Sequence, residues 1–322
     1  MSLLACETRI APDPRDKPLV ELILAEGKKT PDRSGVDAAA LRADNPNRLG
    51  GELIRQPVAG MTWFDEKFPR VSGEWIQRKD SPAEINIIYF HGGAYVRGSL
   101  KQGRGIASAL AAKTNGRTFS VDYRQAPEDP FPAAVDDAVA AYQELVSRGI
   151  APESIVLAGD SCGGGMVVSA MLKLRELGER MPAGGVPISP WVDLTLAGAS
   201  WKENFDTDYV GPLFVKSLAK TYLAGADPRH PLASPIFADL RGLPPLFIVS
   251  GGAETLHSDA VALAEATERA GVRVQLQTYL TMGHVFPMFN LHTADLAISN
   301  AAEFIVDAVH TAEKSRNRVL MD

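Results

Sequence analysis

The chain contains little cysteine and no long apolar run. Two cysteines, Cys6 and Cys162, occur among its 322 residues, too few for the disulfide framework of a small secreted protein. No apolar stretch approaches the roughly 20 residues that a membrane-spanning helix needs. Because the short apolar run at residues 3–6 follows no basic segment, we expect no signal peptide and a cytoplasmic protein.

The chain also lacks an excess of positive charge. Its 33 Lys and Arg are outnumbered by 39 Asp and Glu, which gives a net charge of −6 spread over mixed signs. This balance argues against a nucleic-acid or anionic-membrane surface and favours a small neutral partner. With 45% hydrophobic and 22% charged residues, the composition is that of a globular protein long enough to bury a large core.

A serine flanked by glycines occurs where an apolar run changes into a helical pattern. Ser161 lies between Gly159 and Gly163, after a predicted strand at residues 155–158 and before a helical pattern at 166–177. A tight strand-to-helix turn leaves no room for Cβ atoms two residues away on either side of the nucleophile. The pattern therefore predicts a nucleophile elbow, although such a turn can also be structural or bind a phosphate.

Apolar strand-like runs alternate with helical patterns along most of the chain. Strands are predicted at residues 61–64, 73–78, 84–90, 118–123, 155–158, 186–190, 246–250 and 273–279. Helices are predicted at residues 102–113, 135–146, 166–177, 212–223 and 293–311, with a further helix that ends at residue 270. This alternation predicts an α/β fold with a mostly parallel, doubly wound sheet flanked by helices.

Two segments depart from the alternation. Residues 1–50 show helical patterns at 18–25 and 36–43 and no strand, which indicates a helical appendage. Residues 197–232 are rich in aromatic residues and contain a helix that Pro212 would open; they favour a lid over the site, although a packed helical layer would look the same. The predicted organisation is a helical segment at 1–50, core at 51–196, an insertion at 197–232 and core at 233–322.

Two glycines, Gly92 and Gly93, follow the predicted strand at residues 84–90. Glycines directly after a buried strand free N–H groups from the sheet and let a ligand approach closely, as an oxyanion hole requires. Because Gly-Gly is also a common loop signal, a plain turn is the alternative. His91, which precedes them, is expected to make a structural hydrogen bond, since a catalytic base needs freedom to reach the nucleophile.

Serine hydrolysis also needs a base and a carboxylate that orients it. In the chain order Ser, acid, His, Ser161 is followed by Glu254 after one predicted strand and by His284 after the next. Among the six histidines, His284 alone occupies a loop after a late strand. Asp259 and Asp193 are the rivals of Glu254 for the acid, and a solvated loop carboxylate is the alternative role for Glu254 itself.

Five motifs follow one another in a set order. They are residues 91–95 (HGGAY), 123–128 (YRQAPE) running into 131–133 (FPA), 159–164 (GDSCGG), 189–193 (SPWVD) and 283–284 (GH). In this combination the chain resembles the hormone-sensitive-lipase family of α/β-hydrolase esterases over essentially its whole length. The resemblance implies a catalytic core, a helical cap built from the N-terminus and the insertion, and hydrolysis of short- to medium-chain acyl esters without a cofactor.

The resemblance also assigns roles to residues. It makes Ser161 the nucleophile and His284 the base, and it makes the N–H groups of Gly92, Gly93 and Cys162 the oxyanion hole. The thiol of Cys162, where the family has a smaller residue, is expected to crowd the acyl side.

Other positions depart from the family pattern. Ala94 stands where the family has a third glycine, and Glu254-Thr255-Leu256 stands where the family has Asp-Pro-Leu, although part of the family uses glutamate. Residues 191–200 also resemble relatives that act on terpenoid lactones.

The sequence thus predicts a serine carboxylesterase with a Ser161, His284 and Glu254 triad, acting through an acyl-enzyme on a small ester, with no nucleic-acid partner and no stable membrane association. The aromatic residues of the insertion are expected to limit acyl length. A lactonase, an amidase or a deacetylase of small metabolites would use the same residues. A receptor that keeps the pocket without the base is a further alternative, against which the intact triad speaks. The physiological substrate and the oligomeric state, a homodimer among the options, stay open.

Overall fold

The computed structural model describes residues 4–28, 53–82 and 84–321, with side chains to residue 318. These described residues form a nine-stranded sheet in the order β1-β9-β8-β7-β6-β4-β5-β3-β2. The strands are β1 (Glu7–Ile10), β2 (Met61–Lys67), β3 (Ser72–Arg78), β4 (Asn86–Phe90), β5 (Arg117–Asp122), β6 (Ile155–Asp160), β7 (Gly184–Ile188), β8 (Leu246–Gly251) and β9 (Val274–Tyr279).

The sheet is mostly parallel. Only the pairings of β2 with β3 and of β3 with β5 are antiparallel among the described strands. The other pairings, which join β1 and β4 to β9 to one another, are parallel. Strands β4, β6, β7 and β8 are buried along their whole length, which explains why they occur in the sequence as continuous apolar runs. The carboxyl ends of the parallel strands therefore meet at one edge, where loops can converge on a site.

Helices cover both faces of the sheet. In chain order they are α1 (Lys17–Lys28), α2 (Leu100–Thr114), α3 (Ala133–Ser147), α4 (Cys162–Glu176), α5 (Ser200–Glu203), α6 (Pro212–Leu223), α7 (His257–Arg269) and α8 (His292–Met321). Helices α2 and α8 bury one apolar core with the sheet, and α3, α4 and α7 bury the other. Of the helices in the described ranges, none combines the length and apolar character that crossing a membrane demands.

The predicted α/β fold is confirmed. All eight predicted strands are present, with bounds that shift by up to three residues, as in β2, which reaches Lys67 rather than residue 64. The insertion helix α6 begins at Pro212 and ends at Leu223 as predicted. Proline suits the first turn of a helix because its missing N–H has no partner there in any case.

The expectation that residues 1–50 contain no strand was wrong. Glu7–Ile10 forms β1 and pairs in parallel with β9 at the edge of the sheet. This strand is four residues long and only half-buried, so its residues carry no apolar alternation that a pattern could reveal. The helix predicted at 18–25 is present as α1, whereas the helix predicted at 36–43 lies outside the described residues.

Candidate active site

Ser161 lies in a sharp turn between β6 and α4. Its φ of +56° and ψ of −121° put a non-glycine residue in a strained conformation that surrounding structure must enforce. A Cβ atom on Gly159 would lie 2.5 Å from the carbonyl oxygen of Gly163, and one on Gly163 would lie 2.0 Å from that of Phe90. The predicted strand, turn and helix are therefore present, with glycine at the two positions where the turn requires it.

The side chains of Ser161, His284 and Glu254 form one line of contacts at the carboxyl ends of three strands. The Nε2 atom of His284 lies 3.0 Å from the Ser161 Oγ, and its Nδ1 atom lies 3.2 Å from Glu254 Oε2. His284 and Glu254 are buried. The structure thus brings together three residues that are far apart in the chain, since Glu254 follows Ser161 by 93 positions and His284 follows it by 123.

Glu254 is held by its own loop. Its Oε1 accepts hydrogen bonds from the Ser250 hydroxyl at 2.8 Å and from the Gly251 N–H at 3.2 Å, which leaves Oε2 facing His284. A carboxylate at Nδ1 favours the tautomer that carries its proton there and keeps Nε2 free to accept one. The alternative in which Glu254 is a solvated loop carboxylate is excluded by its complete burial.

The two rival carboxylates are engaged elsewhere. Asp259 Oδ2 accepts the N–H groups of Val192 and Asp193 at 2.9 Å, and Asp193 Oδ1 accepts the N–H and hydroxyl of Thr195. Burial raises the pKa of Asp259 to about 8, and its Oδ1 has no hydrogen-bond partner among the described residues. Both acids therefore support the loop after β7 and do not contact His284.

The surroundings of His284 adjust its basicity. Burial by itself lowers the pKa of an imidazole, but the hydrogen bond and the charge of Glu254 outweigh it, with further contributions from Asp208 and Asp160, so that the pKa of His284 lies above its ordinary value. A negative cluster around a histidine stabilises the imidazolium that a general base becomes when it takes a proton.

The glycine-rich loop after β4 differs from the prediction at one position. The N–H of Gly92 donates to Asp160 Oδ1 at 3.0 Å, and the Tyr89 hydroxyl donates to the same oxygen at 2.6 Å. The prediction of Gly92 as an oxyanion donor is therefore corrected, because its N–H already has a buried acceptor. Within the described residues, no acceptor takes the N–H of Gly93 or of Cys162, the latter being the first residue of α4.

His91 and Cys162 have structural surroundings. Burial lowers the pKa of His91 to about 4, and its ring stacks on Tyr123 at 4.4 Å between centroids, in agreement with the expected structural role. Burial raises the pKa of the Cys162 thiol to about 12, and its Sγ accepts the N–H of Tyr95 at 3.3 Å. The thiol thus packs against the glycine-rich loop, and these contacts give no support to the expectation that it crowds the acyl side.

Sequence reasoning missed Asp208. This residue lies in the insertion between β7 and β8, is buried, and accepts the backbone N–H of His284 at 3.1 Å. Neither a motif nor hydrophobic periodicity marks it, because its neighbours in space are 47 and 76 residues away in the chain.

The described residues contain no group of three His, Cys, Asp or Glu side chains suited to ligating a metal ion.

Residues 87–288 match the family described as the alpha/beta hydrolase fold. A crystal structure of an esterase from the bacterial hormone-sensitive lipase family superposes with a TM-score of 0.84 at 36% identity, over 93% of this chain and 100% of the other. The chain belongs to this esterase family. The predicted family is thereby confirmed, and with it the predicted class of carboxylic ester hydrolase.

Proteins from two bacteria are similar to this chain in sequence. An acetyl-hydrolase of Streptomyces hygroscopicus is 43% identical over 222 residues, which are 68% of this chain and 73% of the relative. An esterase of Acinetobacter venetianus is 38% identical over 240 residues, which are 73% of this chain and 78% of the relative.

Proposed function

We propose that this family member is a serine carboxylesterase in which Ser161 is the nucleophile, His284 the general base and Glu254 the carboxylate that orients it. The observation that carries the proposal is the 3.0 Å contact between Ser161 Oγ and His284 Nε2, because a base must lie within hydrogen-bond reach of the proton that it removes. The buried contact from Glu254 to the opposite ring nitrogen completes the arrangement.

The reaction follows from this geometry. As Ser161 Oγ attacks the ester carbonyl carbon, His284 takes its proton, and the carbonyl oxygen becomes an oxyanion. Collapse of this intermediate breaks the bond to the alcohol, which leaves with the proton from His284. Water then attacks the acyl-enzyme by the same route and releases the acid.

The N–H groups of Gly93 and Cys162 are the proposed oxyanion donors. Cys162 opens α4, so its N–H lies at the positive end of the helix dipole. Each preorganised donor contributes about 3 kcal/mol of transition-state stabilisation in enzymes of this kind. In this proposal the N–H of Gly92 is not an oxyanion donor. Its hydrogen bond to Asp160 stabilises the glycine-rich loop after β4 instead.

The cap is proposed to consist of the insertion at 197–232 and of residues 1–50 apart from β1, which belongs to the sheet. Its described parts touch, since a Cβ on Gly27 of α1 would lie 2.3 Å from the Cβ of Tyr209. Tyr222 of α6 stacks on Tyr95 of the glycine-rich loop at 3.9 Å between centroids. These contacts set the insertion beside the proposed oxyanion donors, where it would limit the acyl group to short or medium length.

The test is hydrolysis of p-nitrophenyl esters from acetyl to dodecanoyl by the wild type and by Ser161→Ala. We expect activity to peak at short chains and to fall by about 10³-fold or more in the variant. Ser169→Ala is the matched control, because Ser169 is a buried serine two turns further along α4 whose hydroxyl donates to the Gly165 carbonyl. Residual activity of Ser161→Ala above a few per cent would reject the proposal.

The same variants decide what else the site hydrolyses. A lactone or an anilide would enter the proposed mechanism by the same attack on a carbonyl carbon, so we expect ester turnover to exceed both and all three to depend on Ser161. A cytoplasmic location stays a prediction, which cell fractionation would test. A homodimer stays one option for the assembly, which light scattering of the purified protein would decide.

A further inference from the structure

One buried carboxylate of the insertion joins the loop of the proposed acid to the loop of the proposed base. Asp208 Oδ2 accepts the N–H of Thr255 at 2.7 Å and its hydroxyl at 3.0 Å. Its Oδ1 accepts the N–H of His284 at 3.1 Å and that of Tyr209 at 2.8 Å. Thr255 is the direct neighbour of Glu254. The Asp208 side chain is therefore hydrogen-bonded to the backbone next to Glu254 and to the backbone of His284, the two residues whose side chains lie 3.2 Å apart.

Neighbouring residues of the insertion bind the same two loops. The amide of Asn204 donates to the Glu254 carbonyl at 2.8 Å, the Thr207 hydroxyl donates to the Ala253 carbonyl at 2.9 Å, and the Tyr209 hydroxyl donates to the His284 carbonyl at 2.7 Å. These bonds use backbone groups of the loops, which leaves the side chains of Glu254 and His284 free to face each other.

We propose that Asp208 is a positioning residue that holds Glu254 and His284 at their working distance, so that the insertion and the two catalytic loops act as one unit. The inference rests on the proposed roles of Ser161, Glu254 and His284. It follows from connectivity, because the loops leave different strands, β8 and β9, and hydrogen bonds from both to a single buried anion hold them together.

Asp208 also acts on His284 through its charge. The charged groups that face His284 are Glu254, Asp208 and Asp160, and each of them raises the pKa of the imidazole. Loss of the charge on Asp208 would therefore lower that pKa. A residue that only stabilised the fold would leave the pKa of correctly folded molecules unchanged, so the pH profile separates the two roles.

The experiment compares Asp208→Asn with Asp16→Asn. Asp16 is a matched control because it is another buried aspartate, and it accepts the N–H groups of His292 and Thr293 at 2.9 and 2.7 Å without contacting the triad. For both variants, the concentration of active sites is first measured from the burst of p-nitrophenol that diethyl p-nitrophenyl phosphate releases when it reacts with the enzyme. The turnover of p-nitrophenyl butyrate is then expressed as kcat per active site. The pH dependence of kcat/KM is measured on the same preparations.

For Asp208→Asn we expect kcat per titrated site to fall by about 10²-fold, with KM within about twofold of the wild type, because a 1 Å misplacement of catalytic groups has an effect of that size. The acid limb of the pH profile should move to lower pH. Asp16→Asn should lower the melting temperature and leave both quantities unchanged. An unchanged kcat per site or an unmoved acid limb in Asp208→Asn would overturn the inference.

Two further variants keep the test decisive. If Asp208→Asn does not fold, Thr255→Val removes one hydroxyl donor to Asp208 at nearly constant volume, and kcat per site should fall about fivefold, as expected for one lost hydrogen bond; no loss would reject the inference. Ser161→Ala, whose turnover is expressed per mole of protein because it lacks the serine that the phosphate ester titrates, tests the proposed function by itself. An inactive Ser161→Ala beside an unaffected Asp208→Asn would refute the positioning role and leave the esterase proposal standing.

Discussion

Replacing Gly163 with alanine should damage both stability and turnover, although alanine is the better residue inside a helix. Gly163 lies in the first turn of α4, where the exchange would ordinarily stabilise by up to about 1 kcal/mol. Here the new Cβ would lie 2.0 Å from the carbonyl oxygen of Phe90 and 2.7 Å from its carbonyl carbon. Because both atoms belong to the backbone, either α4 or the end of β4 has to move.

The size of the effect follows from that distance. Carbon and oxygen atoms in ordinary contact are well over 3 Å apart, so relief needs a movement of about 1 Å, and overpacking of this kind costs about 1–3 kcal/mol. Because the atoms in the way belong to the backbone, we expect a cost at the upper end of this range, which the helix gain of up to about 1 kcal/mol reduces to a net loss of about 2 kcal/mol. For a chain of 322 residues a loss of that size lowers the melting temperature by about 3 °C. The same movement would displace Ser161 from His284 and lower kcat by about 10²-fold.

The assay is thermal unfolding together with kcat for p-nitrophenyl butyrate, for Gly163→Ala and for Gly211→Ala. Gly211 is a suitable control because a Cβ there would meet no atom within 4 Å; as the residue before α6 it should lose at most about 1 kcal/mol, and its kcat should match the wild type. A Gly163→Ala variant with wild-type melting temperature and wild-type kcat would refute the steric argument for the elbow.

Three further changes test other parts of the site. Glu254→Gln should lower kcat by about 10³- to 10⁴-fold because its amide no longer favours the Nδ1–H tautomer of the base; a loss of less than about tenfold in steady-state assays would contradict this role. Asp259 holds its proton in the folded protein up to a pKa of about 8 and releases it near pH 4 when unfolded, so its stabilising contribution is lost as pH rises toward 8. The melting temperature of Asp259→Asn should therefore exceed that of the wild type by much more at pH 9 than at pH 5, and an equal difference at both pH values would rule this out. Phe214, which packs under the Arg97 guanidinium, should limit acyl length, so Phe214→Ala should raise the ratio of octanoate to acetate turnover; no change, or the same change in the half-exposed Phe205→Ala, would oppose this.

Much of the site could be predicted because its determinants are local in the chain. The turn around Ser161 needs glycine two residues away on either side, and that steric rule depends only on neighbouring residues. The order of strands and helices follows from hydrophobic patterns within short windows. Glu254 and His284 could then be selected because each comes directly after a predicted strand, and the ends of parallel strands meet at one edge.

The fold class, the elbow and the residues that meet there could be inferred from the order of amino acids, since each depends on sterics or patterning over a few positions. The partners of individual polar groups became apparent only in the folded chain. The N–H of Gly92 binds a carboxylate 68 residues away, Asp208 reaches loops 47 and 76 residues away, and β1 pairs with a strand at the other end of the chain. Such pairings depend on distances that exist only once the chain has packed, and no local pattern encodes them.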